Sequence, residues 1–155
     1  MRLKVLTARD EAMQAMLSEV RAELTSVSSS PGYKALLTGL ILQGAKKLET
    51  KAAVVRCREC DVAVVKEAMA EAEAKVAGMK LVLDTHVSLP PPPDVSKEGV
   101  SCVGGVHVIS MDGKIICNNS LDDRLNVAYE RNLPEIRSAI FGVNPNLTQK
   151  TAKAM

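Results

Sequence analysis

Residues 103–142 constrain the fold of this chain more than any other stretch, because the local signals within them agree. Two short segments rich in β-branched residues, at 106–109 and 114–117, flank an Asp-Gly pair at positions 112 and 113. Asp-Gly between apolar alternations is the strongest short-range signal for a β-hairpin. We therefore predict two antiparallel strands joined by a tight turn.

A long helix is predicted directly after the hairpin. Ser120 stands three residues before Asp123, a spacing at which a hydroxyl and a carboxylate can bond the free N–H groups of a helix start. Gly142 is placed to end the helix in a left-handed conformation. Between these ends, apolar residues recur near the helical period, at Leu121, Leu125, Ala128, Ile136 and Ile140.

Pro134 interrupts this helical pattern. A proline inside a helix removes one backbone hydrogen bond and clashes with the carbonyl four residues earlier. The sequence leaves two outcomes open: a kink at Pro134, or a second helix that starts with Asn132 as its cap.

The first 27 residues predict one amphipathic helix. Its apolar residues form two offset heptad rows, here called the seam, which comprises Leu6, Met13, Leu17, Val20, Leu24 and Val27. A seam this short is compatible with two structures: one helix of a coiled coil, or a surface helix that packs on the hydrophobic core of the same chain. The pattern is already running at Leu3 with no capping residue before it, which favours the end of a longer helix.

A second helix is predicted to begin at Ser30 and Pro31, a good pair for a cap and a first turn. Gly39 and Gly44 lie inside its apolar band, where glycine costs about 1 kcal/mol relative to alanine. We expect both glycines to mark the close approach of another backbone, that of the first helix.

A β-α-β unit comes next. Residues 52–57 read as a strand, Asp61 as the cap of a helix that runs to Gly78, and residues 80–85 as a second strand. Two strands joined by a crossover helix can be parallel neighbours. Four consecutive prolines from Pro90 then predict an extended, solvent-exposed connection, because proline fits neither a helix interior nor a central strand.

Together these elements predict an α+β fold. Its small mixed sheet of about four strands combines the β-α-β unit with the hairpin, is flanked by helices, and carries a protruding N-terminal helix. We divide the chain into a helix at 1–27, a globular head at 31–142 and a poorly ordered tail at 143–155.

Composition limits the classes of function. The 155 residues include 20 basic and 18 acidic side chains, with one Phe, two Tyr and no Trp. A nucleic-acid-binding protein usually needs a basic face or aromatic side chains for base stacking. A small nucleic-acid-binding α+β domain therefore remains only the alternative to a protein that binds other proteins.

The chain also lacks the sequence signals of a membrane or secreted protein. No stretch approaches the roughly 18 apolar residues of a membrane span. The N-terminus carries charges where a signal peptide has its apolar region. These features predict a cytosolic location.

The pair Cys57 and Cys60 has the C-x-x-C spacing of zinc and redox sites. A structural zinc site needs two further ligands, and Cys102 and Cys117 do not form a second such pair. In a redox pair we would expect a small, exposed loop between the two thiols, but Arg58 and Glu59 lie between them here. Ordinary reduced cysteines, buried as small apolar residues, are the favoured interpretation.

No constellation predicts catalysis, a metal or a cofactor. The chain shows no nucleophile with an adjacent base, no carboxylate pair on an apolar background and no glycine-rich loop before a helix. His86 and His107 are expected to have no chemical role. Arg56 and Arg58 are expected on a solvated strand edge.

Several blocks of sequence resemble the E-subunit family of vacuolar-type (V-type) proton-translocating ATPases. The most specific is the ending Leu133-Pro134-Glu135-Ile136-Arg137, followed by Ile140-Phe141-Gly142. Others occur in the family's order, namely Leu36-Leu37, residues 40–44, residues 55–58 with Asp61, Leu89-Pro90-Pro91, Gly104-Gly105-Val106, Ser120-Leu121 and Arg124-Leu125. The resemblance spans residues 5–142, and the connection at 90–99 looks longer than the family's usual one.

This resemblance implies a non-catalytic component of the peripheral stalk, or stator, which holds the catalytic hexamer of a rotary proton pump against rotation. The implied partners are the pump's G-subunit at the stalk helix, its B-subunit at the head, and other stator subunits such as C and H. The implied location is the cytosolic face of vacuolar or other acidic-organelle membranes, without membrane insertion, nucleic acid or cofactor.

The resemblance also suggests where partners bind. We expect a head interface at Leu133, Pro134, Glu135, Ile136, Arg137, Phe141, Gly142 and Arg124. The seam of the N-terminal helix would pair with another helix. Without that partner, the exposed seam should let the chain self-associate.

Overall fold

The computed structural model describes residues 2–93 and 99–142. The helices are α1 (Arg2–Val27), α2 (Tyr33–Leu48), α3 (Val62–Lys75) and α4 (Leu121–Phe141). The strands are β1 (Ala52–Arg56), β2 (Lys80–Leu83), β3 (Gly105–Ser110) and β4 (Ile116–Ser120), and a 3-10 turn at Glu59–Asp61 precedes α3. The predicted α+β fold with a long N-terminal helix is confirmed.

The sheet has the strand order β2-β1-β3-β4. Strands β1 and β2 are parallel, as expected of neighbours joined by a crossover helix. Strand β3 is antiparallel to both β1 and β4, and the β3–β4 pair is the predicted hairpin. Its second strand starts two residues later than predicted and continues to Ser120.

The core lies between the sheet and two helices. Helix α2 packs on β1, β3 and β4, while α3 packs on α2 and β2. Strand residues with side chains on the same face are buried there, including Ala53 and Val55 in β1 and Val106 and Val108 in β3. Because side chains alternate along a strand, the residues between these buried ones have their side chains on the opposite face of the sheet.

Gly44 permits the close approach that its position predicts, but the neighbour is not α1. A Cβ atom at Gly44 would lie 2.6 Å from Cγ2 of Val108, so α2 is seated directly on strand β3. A Cβ atom at Gly39 would meet nothing within 4 Å. The predictions for Gly39 and for α1 as the neighbour were therefore wrong.

Two predicted helix caps are also wrong, because their side chains bond elsewhere. The hydroxyl of Ser30 donates to the carbonyl of Val27 at 2.9 Å, and α2 begins only at Tyr33. Asp61 makes no side-chain cap on α3. By contrast, the capped start of α4 is confirmed, since the Ser120 hydroxyl accepts the N–H of Asp123 at 3.1 Å.

The described residues form two compact units that divide between Asp123 and Arg124. In the second unit α4 continues through Pro134, so a second helix capped by Asn132 does not form. The side-chain amide of Asn132 donates instead to the carbonyl of Ala128 at 2.9 Å. The helix ends at Phe141, and Gly142 has the predicted left-handed conformation, with φ of +78°.

The proline-rich connection has no regular structure at Pro90–Pro93, as predicted, but the chain beside it is held in place. Leu89 is buried, and its N–H donates to the carbonyl of Cys57 at 3.0 Å. The carbonyl of Pro91 accepts the N–H of Cys102 at 3.0 Å. Residues 94–98 and the predicted tail at 143–155 lie outside the described residues.

No helix in the described residues combines the length and the apolar character that crossing a bilayer requires.

Candidate protein interface

The seam of α1 is exposed at one end and covered at the other. Leu6 is 61% exposed, and Leu3 beside it is more exposed still. Met13 is only 3% exposed. The remaining seam residues are half-buried, namely Leu17, Val20, Leu24 and Val27.

The covered end of α1 is attached to the rest of the first compact unit by polar contacts. Nε of Arg21 lies 2.7 Å from a carboxylate oxygen of Asp122, at the start of α4. The same guanidinium donates to the carbonyl of Ser101 at 3.0 Å. Leu24, one turn further along, packs against the hydrophobic core. The first turns of α1 therefore offer an apolar surface, and the last turns form part of the folded unit.

A buried charged pair lies behind this attachment. Arg58 is only 2% exposed, so its predicted place on a solvated edge was wrong. Its guanidinium donates to one carboxylate oxygen of Asp61 at 2.7 Å and to the carbonyls of Cys102 and Val103 at 3.1 and 2.9 Å. Burial alone would lower the pKa of Arg58, but its hydrogen bond to Asp61 and the charge of that carboxylate raise it.

Tyr33 completes the buried cluster. Its hydroxyl donates to Asp61 at 3.0 Å and accepts the N–H of Gly105 at 3.0 Å. Burial raises the pKa of Tyr33 to about 12, so the phenol stays protonated at neutral pH. The Tyr33–Arg58–Asp61 cluster thus joins α2 and the end of β1 to residues 102–105, and it serves a structural purpose.

Gly104, just before β3, and Gly105, its first residue, allow this loop to fit. A Cβ atom at Gly104 would lie 2.7 Å from the Tyr33 hydroxyl. At Gly105 it would lie 2.5 Å from the carbonyl oxygen of Asn119, and the φ angle there is +97°. The sequence pattern Gly-Gly therefore reflects steric need at the junction of β4 and α4.

Cys57, Cys60 and Cys102 have the raised thiol pKa values of unreactive cysteines, although Cys60 is exposed and therefore not buried as predicted. Burial raises the pKa of Cys57 and of Cys102 to about 11, and burial also raises the pKa of Cys60. Among residues 2–93 and 99–142, no group of three or more His, Cys, Asp or Glu side chains could hold a metal ion. Nothing in this part of the chain favours redox or zinc chemistry at Cys57 and Cys60.

The two histidines differ in their surroundings. His107 is partly buried on β3, and its Nε2 lies 3.6 Å from a carboxylate oxygen of Asp123. Burial lowers the pKa of His107 and outweighs the opposing effect of Asp123. His86 is exposed and donates its backbone N–H to Asp84.

The predicted head interface belongs to the second unit, on α4 and directly after it. Side chains of Pro134, Glu135 and Arg137 are exposed. Pro134 has no N–H for the carbonyl of Glu130, while its own carbonyl accepts the Ser138 hydroxyl at 2.9 Å. Of the other predicted residues, Leu133, Ile136 and Phe141 are half-buried, whereas Arg124 and Gly142 are exposed.

Sequence reasoning missed the Tyr33–Arg58–Asp61 cluster and the Arg21–Asp122 attachment. The spacing of Arg58 and Asp61 was visible, but a nearby helix start explained Asp61 equally well. Arg21 and Asp122 lie in distant parts of the chain, and only the fold brings them together. Within the first unit, an exposed apolar helix end is thus joined to a buried hydrophobic core.

Comparisons with known proteins identify a family and several relatives. Residues 1–141 match the family model described as the ATP synthase (E/31 kDa) subunit. The V-type proton ATPase subunit E1 of Arabidopsis thaliana is 40% identical over 149 residues, which cover 91% of this chain and 65% of that protein. The E3 form from the same plant is also 40% identical, with the same coverage.

A relative from another plant gives a similar result. The V-type proton ATPase E-subunit of Citrus unshiu is 39% identical over 147 residues, which cover 90% of this chain and 64% of that protein. The chain thus spans a little less than two thirds of the length of these curated relatives.

Proposed function

The chain belongs to the ATP synthase (E/31 kDa) subunit family, and we propose that it acts as a non-catalytic peripheral-stalk component of a rotary V-type proton ATPase. In this role it holds the catalytic hexamer against rotation through contacts with other proteins. The family match over residues 1–141 carries the proposal. No feature of the described residues favours the alternative, a nucleic-acid-binding domain.

Physical reasoning supports a mechanical role. A stator must resist torque, which requires a stiff rod fixed to a folded anchor. Helix α1 has 26 residues, a length of about 39 Å. Its last turns are attached through Arg21 and Leu24, so a load on the helix would pass into the core.

We assign residues 1–27 to the end of the stalk helix and propose the ATPase G-subunit as its partner. The exposed apolar side chains of Leu3 and Leu6 lie on one side of α1, as expected of a helix that pairs with a second helix. Pairing would remove these side chains from water.

We assign residues 31–142 to the head and propose that its α4 motif contacts the B-subunit of the catalytic hexamer. Exposed Pro134, Glu135 and Arg137 would supply part of that contact. Other stator subunits such as C and H are further proposed partners. The assembled complex would lie on the cytosolic face of a vacuolar or other acidic-organelle membrane, without inserting into it.

Co-expression with a G-subunit tests the stalk assignment. The wild-type chain is expected to co-purify with it, and Leu6→Asp should weaken the complex because it places a charge in the apolar contact. Ala8→Asp, on the far side of the helix, should bind like wild type. If Leu6→Asp and Ala8→Asp bind the G-subunit equally tightly, the assignment of residues 1–27 to the stalk helix is wrong.

Binding to the B-subunit tests the head assignment. Arg137→Glu and Phe141→Asp are expected to weaken binding while the circular dichroism spectrum stays native. Lys66→Glu, an exposed charge reversal on α3, serves as the control. The assignment fails if both α4 variants bind as tightly as the control.

A further inference from the structure

Strand β4 has backbone groups that point away from the sheet. The N–H of Ser110 donates to the carbonyl of Ile115 at 2.9 Å, which identifies these two residues as a hydrogen-bonded pair. Such pairs alternate along an antiparallel ladder with pairs that share no hydrogen bond. Ile116 opposite Ile109 and Asn118 opposite His107 belong to the second kind.

The N–H and C=O groups of Ile116 and Asn118 therefore face outward from the edge of the sheet. Strand β4 is the last strand in the order β2-β1-β3-β4, and in the part of the chain that the structure describes no strand pairs with it on that side. Both residues are exposed. Four backbone hydrogen-bonding groups in a row are thus available to an extended chain.

The opposite edge of the sheet is protected. On β2 the outward N–H of Leu81 donates to a carboxylate oxygen of Glu73 at 2.7 Å, and a lysine, Lys80, begins the strand. Charged side chains are the usual device by which proteins prevent unwanted strand pairing. Strand β4 reads Ile-Cys-Asn-Asn-Ser and contains neither charge nor proline. One outward group of β2 is therefore occupied and a charge begins that strand, whereas β4 has neither protection.

The face of the sheet opposite α2 and α3 adds a side-chain pattern to this edge. One row of directly opposed residues crosses all four strands and consists of Val82, Val54, Ile109 and Ile116. Its two ends are exposed, Val82 by 50% and Ile116 by 52%. The apolar row thus extends to the open edge and stops there.

A polar row runs beside the apolar one on the same face. It consists of Arg56, His107 and Asn118, again in direct register. Arg56 is paired with Asp84 at 2.8 Å, and Asp123 lies near His107. A strand added next to β4 would continue both rows, one with an apolar residue beside Ile116 and one with a polar residue beside Asn118.

We propose that β4 binds an extended segment of another polypeptide by β-strand addition. The backbone groups of Ile116 and Asn118 supply the hydrogen bonds, and the two rows select a segment with an apolar and a polar residue two positions apart. The inference concerns the sheet edge and does not depend on the stator role.

A second copy of this chain fits the edge less well. Antiparallel pairing of β4 with itself over its full length would centre on Asn118 and place Ile116 opposite Ser120 of the other copy. The apolar row would then end against a hydroxyl. A segment of different sequence continues the apolar row, which is why we favour a partner over self-pairing.

The test uses the blocked heptapeptide Thr-Thr-Glu-Thr-Val-Thr-Thr and the full chain labelled with nitrogen-15. Bound antiparallel, the peptide places its valine beside Ile116 and its glutamate beside Asn118. Saturable shifts of the Ile116 and Asn118 amide signals are expected. A peptide N-methylated at the glutamate and the valine loses two hydrogen bonds and should bind at least about tenfold more weakly.

Variants of the edge make the test specific. Asn118→Pro removes an outward N–H without removing a bond to β3, so it should abolish binding while the sheet stays folded. Asn118→Thr keeps that N–H and should bind the peptide normally. If Asn118→Pro does not fold, Ile116→Lys replaces it, since a charge at an edge opposes pairing.

Three outcomes would overturn the proposal. The first is no change in the Ile116 and Asn118 signals at saturating peptide. The second is equal binding of the N-methylated and unmethylated peptides. The third is a dimer that Asn118→Pro converts to monomer while the wild-type chain ignores the peptide, because the edge would then bind a second copy.

Discussion

Arg58 shows how one buried charge can organise several segments. Its guanidinium is neutralised by Asp61 and donates to two carbonyls of the loop that enters β3. The local pattern, an aspartate before a helical run, predicts a cap for α3. In the fold Asp61 bonds Arg58 and Tyr33 instead, because leaving a buried guanidinium without a counter-charge costs more than losing a cap.

Asp61→Leu should therefore destabilise the protein severely. The substitution leaves Arg58 buried without a counter-charge, for which we expect a loss of about 3–5 kcal/mol in the free energy of unfolding, measured by urea denaturation. The double variant with Arg58→Met should recover part of the loss. Lys34→Ala, which removes two solvent-accessible ion pairs, with Glu67 and Glu71, should change the urea midpoint little. A near-native midpoint for Asp61→Leu would refute this account.

Two glycines should respond to alanine with opposite signs. Gly105→Ala is expected to cost about 1–3 kcal/mol from its left-handed backbone alone, with a steric clash at Asn119 in addition. Gly39→Ala in α2 meets nothing within 4 Å and should stabilise the protein by up to about 1 kcal/mol. Thermal unfolding of both variants measures the difference, and a shift of the same sign in both would contradict the prediction.

At the scale of elements, periodicity predicted the helices well and their surroundings poorly. The predicted first helix, residues 1–27, agrees closely with α1. The heptad pattern is the same at Leu6 and Met13, yet the first is exposed and the second is buried. Which half of a helix is covered depends on distant residues such as Ser101 and Asp122, which no local pattern reveals.

The attachment of α1 should be separable from the folding of the head. Arg21→Met removes the contacts with Ser101 and Asp122, so amide hydrogen exchange should become faster in the last turns of α1. Exchange in the four strands should not change. Lys4→Met, in the exposed first turns, is the matched control. Equal protection of α1 in both variants would show that Arg21 does not hold the helix.

For the whole molecule, the order and type of the elements were predictable, and the pairing of strands was predictable in part. An Asp-Gly turn and a crossover helix are local signals, so they predicted the hairpin and the parallel pair. That β1 lies between β2 and β3 could not be inferred, because it depends on which apolar faces meet in three dimensions. The positions of β2 and β4 at the two edges of the sheet could not be inferred either.

The protein should lose stability in alkaline solution. Burial raises the pKa of Cys57 and Cys102 from 9.0 to about 11, and that of Tyr33 from 10.0 to about 12. Groups whose pKa is raised in the folded state stabilise it fully below their unfolded pKa, and this contribution falls as pH rises toward the folded value. The urea midpoint, measured with reductant, should therefore fall from about pH 9 upward.

A variant without these thiols tests which groups cause the loss of stability in alkaline solution. Replacing Cys57, Cys60 and Cys102 by alanine removes the three thiols whose pKa is raised, so the decline should begin near the ordinary pKa of tyrosine, about pH 10. A urea midpoint that stays constant from about pH 8.5 to about pH 11 in the wild-type chain would exclude the effect.

The exposed part of the seam should make the isolated chain self-associate. Sedimentation is expected to show concentration-dependent dimers, because pairing buries Leu3 and Leu6. Leu6→Asp should shift the population to monomer, whereas Ala8→Asp should not. A strictly monomeric profile for the wild-type chain at high concentration would contradict this expectation.

The proline-rich connection has a consequence for how sequences of this kind can diverge. Before the connection, the backbone of Leu89 is hydrogen-bonded to Cys57, and that of Pro91 to Cys102. After it, Arg58 donates to the carbonyl of Cys102. Both ends of the connection are therefore fixed by contacts that do not depend on its length. Insertions or deletions between residues 92 and 100 would leave the strand register intact. A doubling of loop length costs only about 0.6 kcal/mol. Related genes can therefore gain or lose codons here and still encode the same sheet.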